Sequence, residues 1–413
     1  MDHMKRFPFG HVTHPDWRIA VSLVVAQIRG RIAQGDYAQQ PQLGIAYFSD
    51  HFAHDAALLL EALQDEFPLV TDWAGSVGAG VMAAHGEYRG EPALAVMLLD
   101  LPRDAYRIFS GIAPLKINAA GPWQQALVHA DAALPDLQEL LAELAARTTS
   151  KQLLGGVSLD TEAPVQLAWS QSQSPSHSGV LQGGLSGLVF GPGAGLLYAS
   201  TQGCQLTSDR MRITALQGNV LLSLDGRPAL DVLEEMMLVR VDAQPEQALR
   251  KIRHILVALE SQDDAGQHHP GQFPPTARVC SLVGVDMNRR GIVLPESALS
   301  QKYLYFCQRN WTAARADLLR VCAELREAMS PAESTLGDPL APEGAVERGI
   351  AGVIYISCTS RGGEYFGSNN GELELLHHVL GDIPLIGFFT PGQIAGQQLH
   401  RFSGSLLVFT KSD

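Results

Sequence analysis

The chain reads as α/β in the mixed α+β sense: two domains, mixed sheets flanked by helices, with internal duplication as one reading of a motif that occurs twice. Three observations lead there. Helix-type and strand-type apolar patterns alternate from end to end, the grammar of layered α/β folds. The length, 413 residues, exceeds what one core ordinarily organises. Apolar runs in both halves stop at small, glycine-rich residues, as buried strands do where their C-terminal ends open into tight turns.

In chain order, Trp17, Val21, Val24, Ile28 and Ile32 follow helical spacing after His14-Pro15, and proline is accepted in a first helical turn. Residues 42–48 read as a strand, 52–66 as a helix capped by Ser49 or Asp50, and 93–101 as a buried strand. A helix over 134–147 precedes Gly155-Gly156-Val-Ser-Leu-Asp160, where a short strand closes on a glycine pair. Glycine-broken β segments fill 179–200. The clearest local pattern follows: a strand from Met211, a turn at Gly218-Asn219, a strand over 220–224, a turn at Asp225-Gly226, and a helix with Pro228 at its start. A helix over 247–260, strands over 277–285 and 302–307 and a helix over 312–329 complete the middle, with flexible loops at 261–276 and 330–345. The last strand, 405–410, leaves three residues, so no output domain is expected after it.

Composition narrows the function. Hydrophobic residues make up 46% and charged residues 18%, a globular balance. No run approaches the ~20 apolar residues that span a bilayer, and the start, Met1-Asp-His-Met-Lys-Arg-Phe-Pro-Phe-Gly10, lacks the apolar core of a signal peptide. A cytoplasmic location without membrane contact is therefore expected. The formal charge of −13 and the lack of any Lys/Arg-rich stretch exclude a nucleic-acid footprint, which needs clustered positive charge. Five cysteines, Cys204, Cys280, Cys307, Cys322 and Cys358, show no C-x-x-C spacing; they suit a reducing compartment better than a disulfide framework or a thiolate zinc site.

The densest stretch is Val353-Ile-Tyr-Ile-Ser-Cys358-Thr-Ser-Arg361-Gly-Gly followed by Pro384-Leu-Ile-Gly387-Phe-Phe-Thr-Pro-Gly392-Gln393-Ile. Its second half has an earlier echo, Gly75-Ser-Val-Gly78-Ala-Gly80 after the apolar approach from Leu69. Two such units point to duplication or to two rims facing a shared cleft. Each glycine is read as a turn residue or a point of close backbone approach. Phosphate cradling is the weaker reading, since neither unit ends in Gly-Lys-Ser/Thr.

With these residues assembled, the chain resembles the FIST-domain family, intracellular sensory modules built from a FIST N and a FIST C region. The marks are the Gly75-to-Gly80 turn, the Gly155-Gly156 pair, Gly218-Asn219 with Leu224-Asp-Gly-Arg-Pro-Ala-Leu230, Cys358-x-x-Arg361-Gly, and Pro384-Leu-Ile-Gly387 through Gly392-Gln393-Ile. The resemblance implies a helical segment over 1–38, a FIST N domain over 39–227 and a FIST C domain over 228–413. It also implies an amino-acid-like or other small metabolite as ligand. Ser76 and Val77 stand where the family often has Cys-Ser, and Val81 and Gln393 where it usually has Glu. If those glutamates bind a ligand amine in relatives, this chain prefers something else.

The ligand-binding candidates are Cys358, Arg361, Gly362, Gly387, Phe388, Thr390, Gly392 and Gln393 from the late stretch, with Gly75, Ser76 and Gly80 from its echo. Arg361 offers a fork of donors suited to a carboxylate or phosphate, against a structural ion pair. Thr390 and Gln393 offer neutral hydrogen bonds, and strand alternation lets only one of Phe388 and Phe389 line a pocket. Cys358 is either a small buried hydrophobe or a thiol that Arg361 activates. Histidines invite a metal or haem reading: His51-x-x-His54 lacks a carboxylate partner, and His268-His269 falls in a loop. Some members of the resembled family bind haem, for which His377 or His378 would be the axial ligand.

The reading is a sensory protein, not an enzyme, that binds a small molecule and passes its signal to a separate signalling protein; the cofactor is unknown, none is called for by the sequence, and haem is possible. Haem-based nitric-oxide sensing is the alternative, and an enzyme using Cys358 as nucleophile is the second.

Overall fold

A computed structural model describes residues 5–84, 86–115, 123–158, 164–173, 179–260, 273, 277–295, 301–330 and 349–411. His85, His268 and His269 lie outside them, as do the loops read at 261–276 and 330–345 apart from Phe273 and Ser330. The chain forms two compact units, one of residues 1–201, 317–399 and 403–413, the other of 202–316 and 400–402.

The first unit repeats one module three times. Each module is a strand, a helix and a second strand parallel to the first. The first comprises β2 (Leu43–Ser49), α2 (Ala56–Glu66) and β3 (Asp72–Gly78), and the second β8 (Gln125–Ala130), α3 (Leu137–Ala146) and β9 (Gln152–Val157). The third comprises β23 (Ile350–Cys358), α7 (Gly371–Leu380) and β24 (Leu385–Thr390). The strand after each module leaves it. β4 (Gly80–Ala83), which follows β3, pairs antiparallel with β24. β10 (Val165–Ser170), which follows β9, pairs with β3, and β25 (Gln393–Gly396), which follows β24, pairs with β9. Each module thus lends a strand to another and borrows one in return.

The other flank of each module takes an antiparallel strand, β6 (Ala93–Leu99), β12 (Leu185–Phe190) or β27 (Ser403–Thr410). Beyond these lie β1 (Phe9–Thr13), β7 (Tyr106–Ser110) and β13 (Leu196–Gln202). The borrowed strands carry β11 (Gly179–Gln182), β26 (Gln398–His400) and β5 (Gly86–Arg89). Three six-stranded sheets of equivalent order result: β1-β6-β2-β3-β10-β11, β7-β12-β8-β9-β25-β26 and β13-β27-β23-β24-β4-β5. The duplication read from the sequence is therefore a threefold repeat, whose second copy carries Gly155-Gly156.

Alternation along the strands sorts the side chains onto two faces. The inner faces of the three sheets share one core, with Ile45, Tyr47 and Met97 from the first, Leu127, Leu154 and Leu188 from the second, and Ile354, Ile356, Phe388 and Leu407 from the third. The outer faces carry helices. Val21, Val24 and Ile28 of α1 (Trp17–Ala33) join Leu59 and Leu63 of α2 over Phe48, Trp73 and Val96, while Leu141 and Leu144 of α3 cover Val128, Leu153 and Val189. α1 starts where the Asp16 carboxylate accepts the Arg18 amide at 2.8 Å, an N-cap that meets one of the helix's orphan donors.

Gly75, Gly155 and Gly387 occupy one place in the repeat, opposite Ala46, Val128 and Tyr355. A Cβ there would fall 1.9, 1.9 and 1.7 Å from those residues' carbonyl oxygens. Of the two roles read for each glycine, a turn or a close backbone approach, Gly75 and Gly387 take the second, in mid-strand.

The second unit is built on a nine-stranded sheet in which β18 (Leu256–Glu260), β22 (Tyr303–Arg309), β15 (Met211–Gln217) and β16 (Val220–Leu224) are successive neighbours. Leu230 and Leu233 of α4 (Ala229–Met237) and Ala248 of α5 (Pro245–Ile252) pack with Leu221, Val257 and Phe306. The hairpin at Gly218-Asn219 and the helix after Pro228 stand as predicted. The helix expected over 247–260 does not: it ends at Ile252, and Leu256–Glu260 is strand β18, buried throughout. A short apolar run carries no periodicity with which to choose between the two states.

Close approach makes the module glycines sensitive. Gly387→Ala and Gly155→Ala are each expected to cost more than about 3 kcal/mol or to abolish folding, whereas Gly284→Ala, with nothing within 4 Å of its Cβ position, should stay within about 0.5 kcal/mol. Urea unfolding midpoints of the three variants check this.

Candidate functional site

One step beyond the module glycines, three rows of side chains cross the inner faces. Strand register gives Gln166–Ser76–Tyr47–Ala95 on the first sheet, Gln393–Gly156–His129–Ser186 on the second and Val81–Phe388–Ile356–Ser405 on the third. All their side chains are buried. The rows meet where the three sheets join. Tyr47 Oη lies 3.2 Å from His129 Nε2, and the Phe388 ring sits 4.7 Å from that of Tyr47 and 5.9 Å from that of His129. Ser186 Oγ donates to Gln166 Oε1 at 2.5 Å, and Gln393 Nε2 donates to Ser405 Oγ. The corresponding third pair is Val81 and Ala95, both apolar. Among the described residues, His129 Nδ1 and Gln393 Oε1 have no hydrogen-bond partner.

The junction is neutral. Burial pushes the His129 pKa down to about 3 and raises that of Tyr47 far above the ordinary phenol range, so imidazole and phenol both stay uncharged near pH 7.

A second polar cluster lies on the outer face of the third sheet, beneath α7. Glu372, 1% exposed, accepts from Tyr355 Oη at 2.7 Å, Ser357 Oγ at 2.8 Å and Arg361 Nε at 2.7 Å, and Arg361 Nη2 lies 2.6 Å from the same carboxylate. Burial alone would lower the Arg361 pKa; the Glu372 carboxylate outweighs it and leaves the group above its ordinary value. Here the guanidinium makes the ion pair that competes with ligand binding for this residue. β5 reaches the same rim: Glu87 Oε2 accepts the Gly363 amide at 3.0 Å, Arg89 donates to the Thr359 carbonyl at 2.9 Å, and Glu87 Oε1 has no partner among the described residues. Burial pushes the Glu87 pKa up to about 7, with nearby Glu372 adding to the rise and the Gly363 amide and Arg89 opposing it.

The predicted candidates divide between these two places. Ser76, Phe388 and Gln393 lie in the inner rows, with Gly75 and Gly387 one residue before two of them. Phe389 faces outward under Arg89, as alternation predicts, and Gly362 packs against its ring. Cys358 ends β23 almost fully buried, where Ser360 Oγ donates to its sulfur at 3.1 Å. Thr390 Oγ1 sits 2.7 Å from the Val157 and Gly392 carbonyls and fastens the end of β24 to β9. Gly80 opens β4, and Gly392 precedes β25. His377 is buried with its ring nitrogens 3.0 and 2.8 Å from the Gly381 and Ala84 carbonyl oxygens, and His378 is exposed. A ring turned to two carbonyls presents no free lone pair to a haem iron.

Models of known families match the chain along most of its length: the FIST N domain over residues 42–227 and the FIST C domain over 229–396. The chain belongs to the FIST family. An uncharacterised protein of Mycobacterium tuberculosis is 27% identical over 414 residues, covering 98% of this chain and 99% of the relative. Another, of Mycobacterium bovis, is 23% identical over 410 residues, covering 98% of each. In this FIST protein the two family models meet at residues 227 and 229, so the first compact unit draws two modules from FIST N and one from FIST C. Val81 and Gln393 occupy equivalent places in the repeat, with Gln166 as the third. Sequence reasoning missed Tyr47, His129, Gln166, Glu372 and Glu87; the Gly155-Gly156 pair, seen as a third copy of Gly75-Ser76 and Gly387-Phe388, points to the first three.

Glu372→Gln should lower stability by about 3–5 kcal/mol, because Arg361 stays buried without its anion; urea titration reads this. Glu87 and His129 give opposing pH dependences. Glu87 holds its proton to about pH 7 when folded and to about 4.5 when unfolded, so its contribution is complete below 4.5 and lost as pH rises through 7. His129 gains its proton near 6.5 when unfolded and near 3 when folded, so its contribution is complete above 6.5 and lost as pH falls toward 3. Glu87→Gln should therefore leave unfolding free energy rising more steeply with pH between about 4.5 and 6.5 than in wild type, with chemical denaturation at stepped pH as the measurement.

Proposed function

We propose that this chain is a cytoplasmic sensory protein that binds a small metabolite and acts through a separate signalling protein. FIST domains are associated with sensory signal transduction, and membership of the family is the first support. The observation that carries the reading is the junction of the three inner rows. Polar side chains from three sheets converge there on rigid strands, and two buried polar atoms lack partners among the described residues. Buried polar atoms ordinarily find a partner, and an exception asks for an occupant. Rigid strand positions with a few polar anchors are how small-molecule sites are commonly built.

Among the described residues no helix is long and apolar enough to cross a membrane. Arg361 and Glu372 serve this reading by holding the loop after β23 at the rim, and Glu87 and Arg89 fasten the β4–β5 hairpin to that loop. Occupancy of the junction would act on a partner by changing how firmly the hairpin and loop are held.

Native mass spectrometry of freshly isolated protein, together with its absorbance spectrum and thermal shifts against a metabolite library, tests the proposal. A co-purified small molecule, or a compound that raises the melting temperature by about 2 °C or more, is expected. Silence across the library with no bound mass would overturn it, and a Soret band would replace it with haem-based sensing.

A further inference from the structure

We infer that the junction of the three sheets binds a small neutral molecule with an amide-like edge, a hydrogen-bond acceptor beside an N–H donor, and that the Phe388 ring occupies the same ground. The inference rests on the sensory reading and names its ligand class.

The edge follows from the two partnerless atoms. Tyr47 Oη has no other acceptor among the described residues, so the phenol proton is assigned to the bond with His129 Nε2, which puts the ring proton on Nδ1. Nδ1–H is then a buried donor without an acceptor among the described residues. Gln393 turns its amide nitrogen to Ser405, which leaves Oε1 as a buried acceptor without a donor among the described residues. A guest that accepts from one and donates to the other presents a carbonyl and an N–H, as primary amides, ureas and lactams do. His129 and Gln393 stand two strands apart on the second sheet, a gap of about 10 Å between backbones. The strand between them carries Gly156, which puts no side chain into the gap. Phe388 and Thr390 fill it: Phe388 Cζ and the Thr390 Cβ and Oγ1 each lie 2.9 Å from where a Gly156 Cβ would stand, and of the two Phe388 is the one not fastened by hydrogen bonds.

Neutrality follows from the surroundings. Tyr47, His129, Ser76, Gln166, Ser186, Gln393 and Ser405 supply only uncharged groups, and an ion brought among them would lose its hydration with no opposite charge in reach. A flat guest suits the place, since the ring it displaces already lies against Tyr47 and His129. Phe388 and Phe389 are consecutive on β24, and Phe389 lies under Arg89 on the opposite face, so a guest that moves one ring disturbs the rim through the other.

Benzamide is the probe, with benzoate and benzamidinium as charged matches of the same shape. Millimolar benzamide is expected to raise the melting temperature of the full chain by about 1–2 °C and the charged pair not to. With 15N-labelled histidine, the His129 Nδ1 resonance should report a protonated nitrogen and shift on adding benzamide. No shift of that resonance at saturation, or equal stabilisation by benzoate, overturns the inference. The resonance is read on wild-type protein, so the test holds even if variants fail to fold. Gln393→Leu and His129→Phe should each weaken benzamide binding at least tenfold. A natural ligand that stabilises Gln393→Leu as strongly as wild type would keep the sensory reading and overturn this site.

Discussion

The cyclic exchange of strands is the constraint on which the rest of the first unit depends. Each βαβ module ends on a second strand with one edge unpaired, and that edge is closed by a strand from another module: β10 on β3, β25 on β9 and β4 on β24. An open edge leaves a line of backbone donors and acceptors unmet in the protein interior. No module satisfies its own sheet, so the three form together or not at all. The pairing of Val81 with Phe388 joins residues some three hundred positions apart in sequence. Such pairing incurs loop-closure entropy before it returns any contact, which makes slow folding the expectation for this topology.

The exchange also decides where polar chemistry lies. With three sheets facing one core, alternation sends every second residue inward, and the rows one step past the module glycines meet at the junction. On the outer faces, the first two modules place Ala46 and Phe48, and Val128 and Ala130, beneath their helices. The third places Tyr355 and Ser357 there, both bonded to Glu372. A buried ion pair contributes little stability relative to hydrocarbon of the same volume. The departure from the apolar pattern is therefore better explained by what it holds, the loop from Cys358 to Gly363, than by added stability.

Much of this was legible in the residues, and the misses have physical causes. The equivalence of Gly75 and Gly387 is local and was visible as an echo. The contrast between Phe388 and Phe389 followed from strand period alone. The third copy was hidden because Gly155-Gly156 lacks the following glycine at the same spacing, so neither motif nor composition ties it to the others. Glu372 pairs with Arg361 across a turn and the start of a helix, eleven residues away, a distance at which no helical or strand period links two positions. His129 was one of many histidines and was given no role, because a lone histidine in an apolar strand looks like a filled core position; only the register that sets it beside Gly156 and against Tyr47 gives it one.

The repeat is threefold in backbone and broken in side chains, and the breaks fall where a site would be. Gln–Ser pairs stand at two of the three places, and Val81 with Ala95 at the third, so at this level the first and third sheets meet through hydrocarbon, while toward their edges His11 Nδ1 lies 2.6 Å from Tyr88 Oη. The second and third meet through Gln393 and Ser405 with Phe388 over Gly156, and the free carbonyl of Gln393 belongs to that meeting. A symmetric junction would offer three equal faces to a guest and hold none of them firmly. An apolar pair at one meeting and a glycine floor under the Phe388 ring at another leave the three faces unequal. The neutral Val81 and Gln393 thus do two things at once: they keep charge out of the junction and make its faces unequal.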